Sequence, residues 1–203
     1  MGKLIKNIIF DIGNVLLDFN PEGYLRSKIE EESIEQLYKD VFRSEEWIML
    51  DRGTITERQA KENIIKRSSL NEELINKAFD GWYDILTPIE ENVSILKKLS
   101  EENYKIYYLS NFHLAAFRYV NTKYDFFNEF DGGVVSFEEK LLKPETEIYE
   151  KIIDRYDLEL EETLFIDDTE ENINAAKKIG IKTIHLKSQN GLLDELKKYN
   201  ILV

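Results

Sequence analysis

Residues 8–16 of the chain read Ile-Ile-Phe-Asp-Ile-Gly-Asn-Val-Leu, an apolar run that ends at a carboxylate and a glycine. The apolar residues from Leu4 to Phe10 predict a short buried strand. Buried parallel strands present their carboxyl ends to ligands, so Asp11 is predicted at the mouth of an α/β sheet. Gly13 allows the backbone to turn sharply and to approach a bound group closely. Taken alone, the segment favours an ordinary Asx turn at a strand end, so patterns further along the chain must decide its role.

The composition is that of an ordinary globular protein with a negative net charge. The 203 residues are 42% hydrophobic, and 40 acidic against 27 basic side chains give a net charge of −13. This charge argues against nucleic acid or an anionic membrane as a partner, but it allows a small phosphorylated substrate. The absence of cysteine excludes disulfides and thiolate ligands. No signal-like segment or membrane-spanning apolar window is found, so we expect a cytoplasmic protein.

Residues 18–86 contain helix signals and no strand pattern. Ser33 and Thr56 are each followed three residues later by glutamine, which is the pattern of a capping box. Asn71 is the predicted start of a third helix. We therefore predict that residues 18–86 form a helical cap inserted after the first strand.

Strands and helices alternate through the rest of the chain. Thr87 and Pro88 have the pattern of an N-cap followed by proline at the first helical position. Short apolar segments predict further strands at residues 105–109, 133–135, 163–166 and 182–186. This alternation predicts an α/β fold with a doubly wound parallel sheet, whose core comprises residues 1–17 and 87–203.

Polar side chains directly follow three of the predicted strands. Asp11 follows the first, Ser110 and Asn111 follow the second, and Asp167 and Asp168 end the fourth. In an open parallel sheet these strand ends meet at one crevice.

Lys143 precedes a predicted helix, where its charge and the helix dipole both favour an anion. Carboxylates, a hydroxyl and a lysine together suit phosphoryl transfer through a hard divalent cation. His113 is interpreted as a helix-start residue, and Trp47 and Trp82 as core residues.

Four segments in this order resemble the haloacid-dehalogenase-like hydrolase superfamily. They are Asp-x-Gly-Asn-Val-Leu at residues 11–16, Ser-Asn at 110–111, Lys-Pro at 143–144 and Phe-Ile-Asp-Asp at 165–168. The similarity is greatest to the phosphatase branch that contains bacterial glucose-1-phosphate phosphatases and the N-terminal domain of soluble epoxide hydrolase. The resemblance implies a Rossmann-like core with an inserted cap, and it covers nearly the whole chain.

On the metal side, the resemblance implies that Asp11 is both the nucleophile and a ligand of Mg²⁺. Asp168 would bind the ion directly, and the backbone carbonyl of Gly13 would complete the protein's share of the ligands. Asp167 would lie in or next to the outer coordination sphere, and Asn172 would orient the acidic pair.

On the substrate side, the resemblance implies that Ser110 and the backbone of Asn111 hold phosphate oxygens. Lys143 would neutralise those oxygens and restrain the nucleophile. The polar loop at residues 51–54 would face the site from the cap, and Arg52 is the predicted specificity residue.

One position departs from the superfamily pattern. Its phosphatases usually carry a second aspartate two residues after the nucleophile, as general acid and base, and here that residue is Gly13. The glucose-1-phosphate phosphatase group has the same Gly-Asn-Val turn, so the departure does not by itself imply an inactive enzyme. The proton donor stays open between Asp167, Asp18 and a metal-bound water. The missing acid predicts a rate that depends steeply on the pKa of the leaving group.

The sequence thus predicts a Mg²⁺-dependent phosphatase that acts on a small phosphorylated metabolite through an aspartyl-phosphate. A sugar phosphate is the expected substrate, and a sugar 1-phosphate is favoured because its anomeric oxygen leaves readily. Two alternatives stay open: a metal-independent haloacid dehalogenase on the same fold, and a non-catalytic protein that binds a phosphorylated ligand. The oligomeric state does not follow from the sequence.

Overall fold

A parallel five-stranded sheet forms the centre of the protein, in a computed structural model that describes residues 4–202. The strands are β1 (Asn7–Phe10), β2 (Leu17–Asp18), β3 (Thr87–Pro88), β4 (Lys105–Ser110), β5 (Gly132–Val135), β6 (Thr163–Asp167) and β7 (Lys182–His185). Five of them pair in parallel in the order β5-β4-β1-β6-β7, and β2 and β3 form a separate antiparallel pair. The predicted parallel sheet is therefore confirmed, with each later strand within one residue of its expected bounds.

Apolar residues on alternate positions of β1 pack on opposite sides of the sheet. Ile8 and Phe10 belong to the larger core cluster, and Ile9 belongs to the smaller one with Tyr149 and Phe165. Both faces are therefore covered, which explains the nearly continuous apolar sequence of the central strand.

Helices connect and cover these strands. They are α1 (Pro21–Arg26), α2 (Glu31–Asp40), α3 (Glu45–Asp51), α4 (Glu57–Arg67), α5 (Glu72–Phe79), α6 (Glu90–Glu101), α7 (Leu114–Lys123), α8 (Ser136–Glu139), α9 (Thr146–Tyr156), α10 (Glu170–Lys178) and α11 (Leu192–Lys197). Short 3₁₀ turns lie at Trp82–Ile85, Asp125–Glu129, Leu160–Glu162 and Gln189–Gly191. Within residues 4–202, none of these helices has the length and apolar character needed to cross a bilayer.

The five helices α1–α5 lie between β2 and β3, where the sequence predicts an inserted cap. Two of the local helix starts are confirmed: Thr56 and Gln59 form a complete capping box, and the side chain of Asn71 accepts from the backbone N–H of Leu74. The predicted division at residues 18–86 stays a prediction, and its two limits coincide with the β2–β3 pair. Residues 1–3 and 203 of the predicted core lie outside the described residues.

The predicted helix start at Ser33 is wrong. Helix α2 begins at Glu31 with Glu30 as its N-cap, so Ser33 lies inside the first turn. Acidic side chains at Glu31 and Glu32 complement the positive end of the helix dipole, and this favours the earlier start.

The predicted helix start at Thr87 and Pro88 is also wrong. These residues form β3, which pairs with Leu17 and Asp18, and α6 begins at Glu90. The backbone N–H of Ile89 donates to the carbonyl of Leu16 at 2.9 Å, which extends the pairing. A contact with a segment some seventy residues earlier thus overrides the local capping signal.

Candidate active site

The carboxyl ends of β1, β4 and β6 bring the predicted polar residues together. Asp11 directly follows β1, and its backbone N–H still donates to the carbonyl of Ile166 on the neighbouring strand, at 2.8 Å. The chain then turns at Asn14, which has a left-handed φ of 54°. The side chain of Asn14 donates to a carboxylate oxygen of Asp168 at 3.2 Å and accepts from the backbone N–H of Phe19. The turn therefore ties the first strand end to the acidic pair of β6.

Lys143 lies at the centre of a buried ionic group. Its Nζ lies 2.8 Å from Oδ1 of Asp11 and 2.6 Å from Oδ2 of Asp167, and all three side chains are buried. Ser110 Oγ donates to the same oxygen of Asp11 at 2.7 Å. Burial acts to lower the pKa of Lys143, but the charges of the two aspartates outweigh it and raise that pKa. The lysine therefore stays protonated beside the predicted nucleophile.

Asp167 has hydrogen-bond partners at both carboxylate oxygens. The side-chain amide of Asn172 donates to them at 3.0 and 3.1 Å, and the backbone N–H of Thr169 donates to Oδ1 at 2.8 Å. Asn172 thus orients Asp167, and its role toward the acidic pair stays a prediction. We call Asp11, Ser110, Lys143, Asp167 and Asn172 the charged floor of the site.

The acidic cluster fits a hard divalent cation. One carboxylate oxygen from each of Asp11, Asp167 and Asp168 lies within 4.8 Å of the others. Burial raises the pKa of Asp11, against the opposing charge of Lys143, and burial also raises the pKa of Asp168. Negative charges held together in a buried place are stabilised by a cation, and oxygen ligands of this kind suit Mg²⁺.

Asn111 positions the lysine rather than presenting its side chain to the crevice. Its side-chain oxygen accepts from the backbone N–H of Lys143 at 2.8 Å, and its Nδ2 donates to the carbonyl of Lys143 at 2.9 Å. The side chain is therefore committed to the loop that carries Lys143, and the predicted contact of phosphate with the backbone N–H of Asn111 is compatible with this arrangement.

A small cavity of about 80 Å³ is lined in part by Gly13 and Asn111, which follow Asp11 and Ser110 of the charged floor in the sequence. Its lining is Gly13, Phe19, Trp47, Asp51, Trp82, Leu86, Asn111, Phe112 and His113. His113 is the N-cap residue of α7, as predicted, and its ring stacks on Trp82 with centroids 4.9 Å apart. We call Phe19, Trp47, Asp51, Trp82 and His113 the apolar wall.

Arg52 does not line this cavity. Its guanidinium pairs with both carboxylate oxygens of Glu145 and donates to the carbonyl of Lys140 at 3.0 Å. The structure therefore places Arg52 in an ion pair between the loop after α3 and the loop before α9. A role in substrate selection stays a prediction for this residue.

Asp51, the neighbour of Arg52, enters the cavity instead. Sequence reasoning missed it, although the polar segment at residues 51–54 was the correct segment to consider. Burial raises the pKa of Asp51 to about 7, and the charge of Asp11 adds to the rise. Burial lowers the pKa of His113 to about 3, so its ring is neutral near pH 7.

Comparisons with known proteins identify the family of this chain. Residues 5–180 match the haloacid dehalogenase-like hydrolase family. A sesquiterpene phosphatase, astK of Aspergillus oryzae, is 26% identical over 198 residues, which is 98% of either chain. An (S)-2-haloacid dehalogenase of Pseudomonas fluorescens is 22% identical and covers 96% of this chain and 89% of its own length.

A solved structure of a HAD family enzyme from Bacteroides thetaiotaomicron has a TM-score of 0.72, with 27% identity, 90% of this chain and 93% of that chain covered. Another structure of that enzyme, in complex with magnesium and inorganic phosphate, has a TM-score of 0.70 at 26% identity, with 89% and 93% covered. The family match spans most of this chain, and the similar structures share its fold. The chain therefore belongs to the haloacid dehalogenase-like hydrolase family.

Proposed function

We propose that this hydrolase is a Mg²⁺-dependent phosphatase that acts on a small phosphate monoester through an aspartyl-phosphate at Asp11. The observation that carries the proposal is the cluster of three carboxylates, two of which, Asp11 and Asp167, pair with one buried lysine. Without a cation, Asp167 and Asp168 would repel each other and any anionic substrate. Two relatives support phosphate ester hydrolysis: one is a phosphatase, and the other was solved in complex with magnesium and inorganic phosphate.

In the proposed mechanism, a carboxylate oxygen of Asp11 attacks phosphorus and displaces the leaving oxygen. Ser110 and Lys143 hold Asp11 in place, and Lys143 adds positive charge where the transferring phosphoryl group gathers negative charge. Asp11, Asp168 and the carbonyl of Gly13 would hold Mg²⁺, which would supply further positive charge to the phosphoryl oxygens. Asn172 keeps Asp167 fixed against Lys143, so the floor does not reorganise during the reaction.

The proposal also concerns the identity of the alcohol that leaves from the phosphate ester. The sequence favours a sugar 1-phosphate, whose anomeric oxygen leaves readily. The aromatic side chains of the apolar wall support a leaving group with an apolar body, and so does the activity named for the fungal relative. We therefore propose that the preferred substrate is the phosphate ester of an apolar alcohol. The sugar 1-phosphate is the alternative substrate with which it is compared.

The test is phosphate release from 4-nitrophenyl phosphate by the wild-type enzyme, with Mg²⁺ and with a chelator, next to Asp11→Asn. We expect activity that depends on Mg²⁺ and falls by roughly 10⁴-fold or more in the variant, since its amide cannot form the phosphoryl-enzyme. Chloride release from 2-chloropropionate that needs no metal would instead establish the dehalogenase. A panel of a prenyl phosphate, a sugar 1-phosphate and its 6-phosphate isomer then ranks the leaving groups.

A further inference from the structure

The carboxyl group of Asp51 has no protein partner although it lies in a largely apolar cavity. Asp51 is the last residue of α3, and it shares the cavity lining with Gly13 and His113. Across residues 4–202, no hydrogen bond or ion pair is formed by its carboxylate oxygens. Its backbone carbonyl, in contrast, accepts from Ser136 Oγ at 2.5 Å. The main chain is held to the core while the side chain stays free to meet a ligand.

The same cavity extends over the position where the general acid is missing. A Cβ built on Gly13 meets no atom within 4 Å, so the space above this residue is open. Asp51 lines the same cavity from the cap side. A carboxyl group is thus available in the cavity although the turn after the nucleophile carries none.

Two of the donors considered from the sequence, Asp167 and Asp18, are less suited to the role. Asp167 is fully buried and accepts from Lys143, Asn172 and the backbone of Thr169, so its oxygens are committed as acceptors. Asp18 accepts from Gln189 and is absent from the cavity lining.

We propose that Asp51 is the general acid and base of the reaction, acting from the cap in place of the aspartate that Gly13 replaces. The inference rests on the proposed phosphatase function and assigns its missing proton donor. A donor on the cap couples chemistry to closure, because the acid reaches the leaving oxygen only when the loop after α3 is seated on the core.

The proton and electron balance is complete with these groups. As Asp11 attacks, the bond from phosphorus to the leaving oxygen breaks, and that oxygen takes its electron pair together with the proton of Asp51. The alcohol departs and leaves Asp51 as a carboxylate. Asp51 then takes a proton from water while the water oxygen attacks phosphorus. The bond to Asp11 breaks with its electron pair, inorganic phosphate departs, and both aspartates return to their starting states.

The electrostatic surroundings suit a group that must both give and take a proton. With a pKa of about 7, Asp51 is protonated in a substantial fraction of molecules at neutral pH. The titratable groups that bear on it are Asp11, whose charge raises the pKa of Asp51, and His113, which lines the same cavity. His113 is neutral there, so it neither neutralises the carboxylate nor competes for the proton.

The test compares Asp51→Asn with the wild type on aryl and alkyl phosphates. Asparagine keeps the shape but cannot supply the proton, so kcat/KM for an alkyl phosphate should fall by about 10²–10⁴-fold. 4-Nitrophenolate leaves without a proton, so kcat/KM for its ester should fall by less than about tenfold. For this ester the kcat of Asp51→Asn should fall by more than kcat/KM, because the attack of water on the aspartyl-phosphate is no longer assisted. The aspartyl-phosphate should then accumulate, and 4-nitrophenolate should be released in a burst. Asp80→Asn, the same change at an exposed cap position, is the matched control and should keep wild-type values.

Each outcome bears on one of the two proposals. A wild-type enzyme that hydrolyses no ester ends the phosphatase proposal and this inference with it. An active wild type with equal losses for aryl and alkyl esters in Asp51→Asn, or with no loss, leaves the phosphatase standing and removes Asp51 as the acid.

The leaving-group series of the wild type tests the inference without any variant. Gly13 alone predicts a steep dependence on leaving-group pKa, whereas Asp51 in the role of acid predicts a shallow one. A steep wild-type series would overturn the assignment even if Asp51→Asn did not fold.

Discussion

The charged floor and the apolar wall differ in how their polar atoms are paired. In the floor, Lys143, Asp167 and Asn172 satisfy one another through bonds of 2.6–3.1 Å. In the wall, Trp82 Nε1 and His113 Nε2 are buried without a hydrogen-bond partner among the described residues, and the carboxyl of Asp51 also has none. Each unpaired buried polar group costs about 1–3 kcal/mol.

The difference indicates two separate tasks. The floor holds charge that must be in place before any substrate arrives, because fixed groups need no reorganisation during reaction. The wall leaves Trp82 Nε1 and His113 Nε2 unpaired at a cost in stability, so its arrangement is not set by hydrogen bonding. The three predictions that follow examine this contrast, from the largest expected effect to the smallest.

Removal of the lysine should disrupt the floor most severely. Lys143→Ala leaves two buried carboxylates without their cation, so we expect a loss of about 3–5 kcal/mol in the free energy of unfolding without Mg²⁺. Phosphatase activity should fall by at least about 100-fold, since the same charge acts on the transferring group.

Urea unfolding in metal-free buffer measures the stability effect. Lys105→Ala is the matched control, because Lys105 also pairs with an aspartate, Asp131, at 2.6 Å but is 63% exposed. That variant should lose less than about 1 kcal/mol. Similar losses in both variants would show that burial does not set the strength of the floor.

His113 should make the wall sensitive to acid. Its pKa is about 3 in the folded protein and about 6.5 in an unfolded chain. As pH falls below 6.5, the unfolded chain binds a proton that the folded protein excludes. The contribution of His113 to the free energy of unfolding is therefore fully present above pH 6.5. It is lost as the pH falls toward 3, at about 1.4 kcal/mol per pH unit.

His113→Phe keeps an aromatic ring beside Trp82 and removes the titration. Compared with the variant, the wild type should lose about 2 kcal/mol more between pH 6.5 and pH 5. Urea unfolding at the two pH values measures this, and His185→Gln controls for loss of the only other histidine. If the stability of the wild type and of His113→Phe depended on pH in the same way, His113 would be protonated in the folded protein as easily as in the unfolded chain.

Substitution of Arg52 tests whether its ion pair with Glu145, which lies outside the cavity, helps to position the apolar wall. The Arg52–Glu145 pair is about one third exposed on both sides, so its loss should cost less than about 1 kcal/mol. If Arg52 acts through Glu145 on the position of Asp51, then Arg52→Ala and Glu145→Gln should shift the ratio of kcat/KM for large and small esters equally, by a few-fold. A change in ranking for Arg52→Ala alone would instead support direct substrate contact, as the sequence predicts.

The sequence was sufficient for much of the floor. The strands, and the polar residues at their ends, depend on local apolar patterns and on the general geometry of parallel sheets, so Asp11, Ser110, Asp167 and Asp168 could be placed at one crevice in advance. The helix starts at Thr56 and Asn71 were also predictable, because a cap bonds a backbone group only three residues away.

Contacts between distant segments were not predictable in this way. Thr87 has the local pattern of a helix N-cap, but it lies in β3 because β3 pairs with β2. The guanidinium of Arg52 pairs with Glu145, which is 93 residues away in the sequence. Asp51 and Arg52 are adjacent in a polar segment, and nothing in their local sequence shows which side chain enters the cavity.

The amino-acid sequence by itself therefore determined the family, the sheet and the charged floor, since these depend on residue order along strands whose ends must coincide. Only the tertiary structure decided the apolar wall. The bond from Ser136 to the carbonyl of Asp51 spans 85 residues, and it fixes the end of α3 against the core. A side chain's place in a cavity depends on how two separate parts of the chain pack together, and short-range patterns carry no information about that packing.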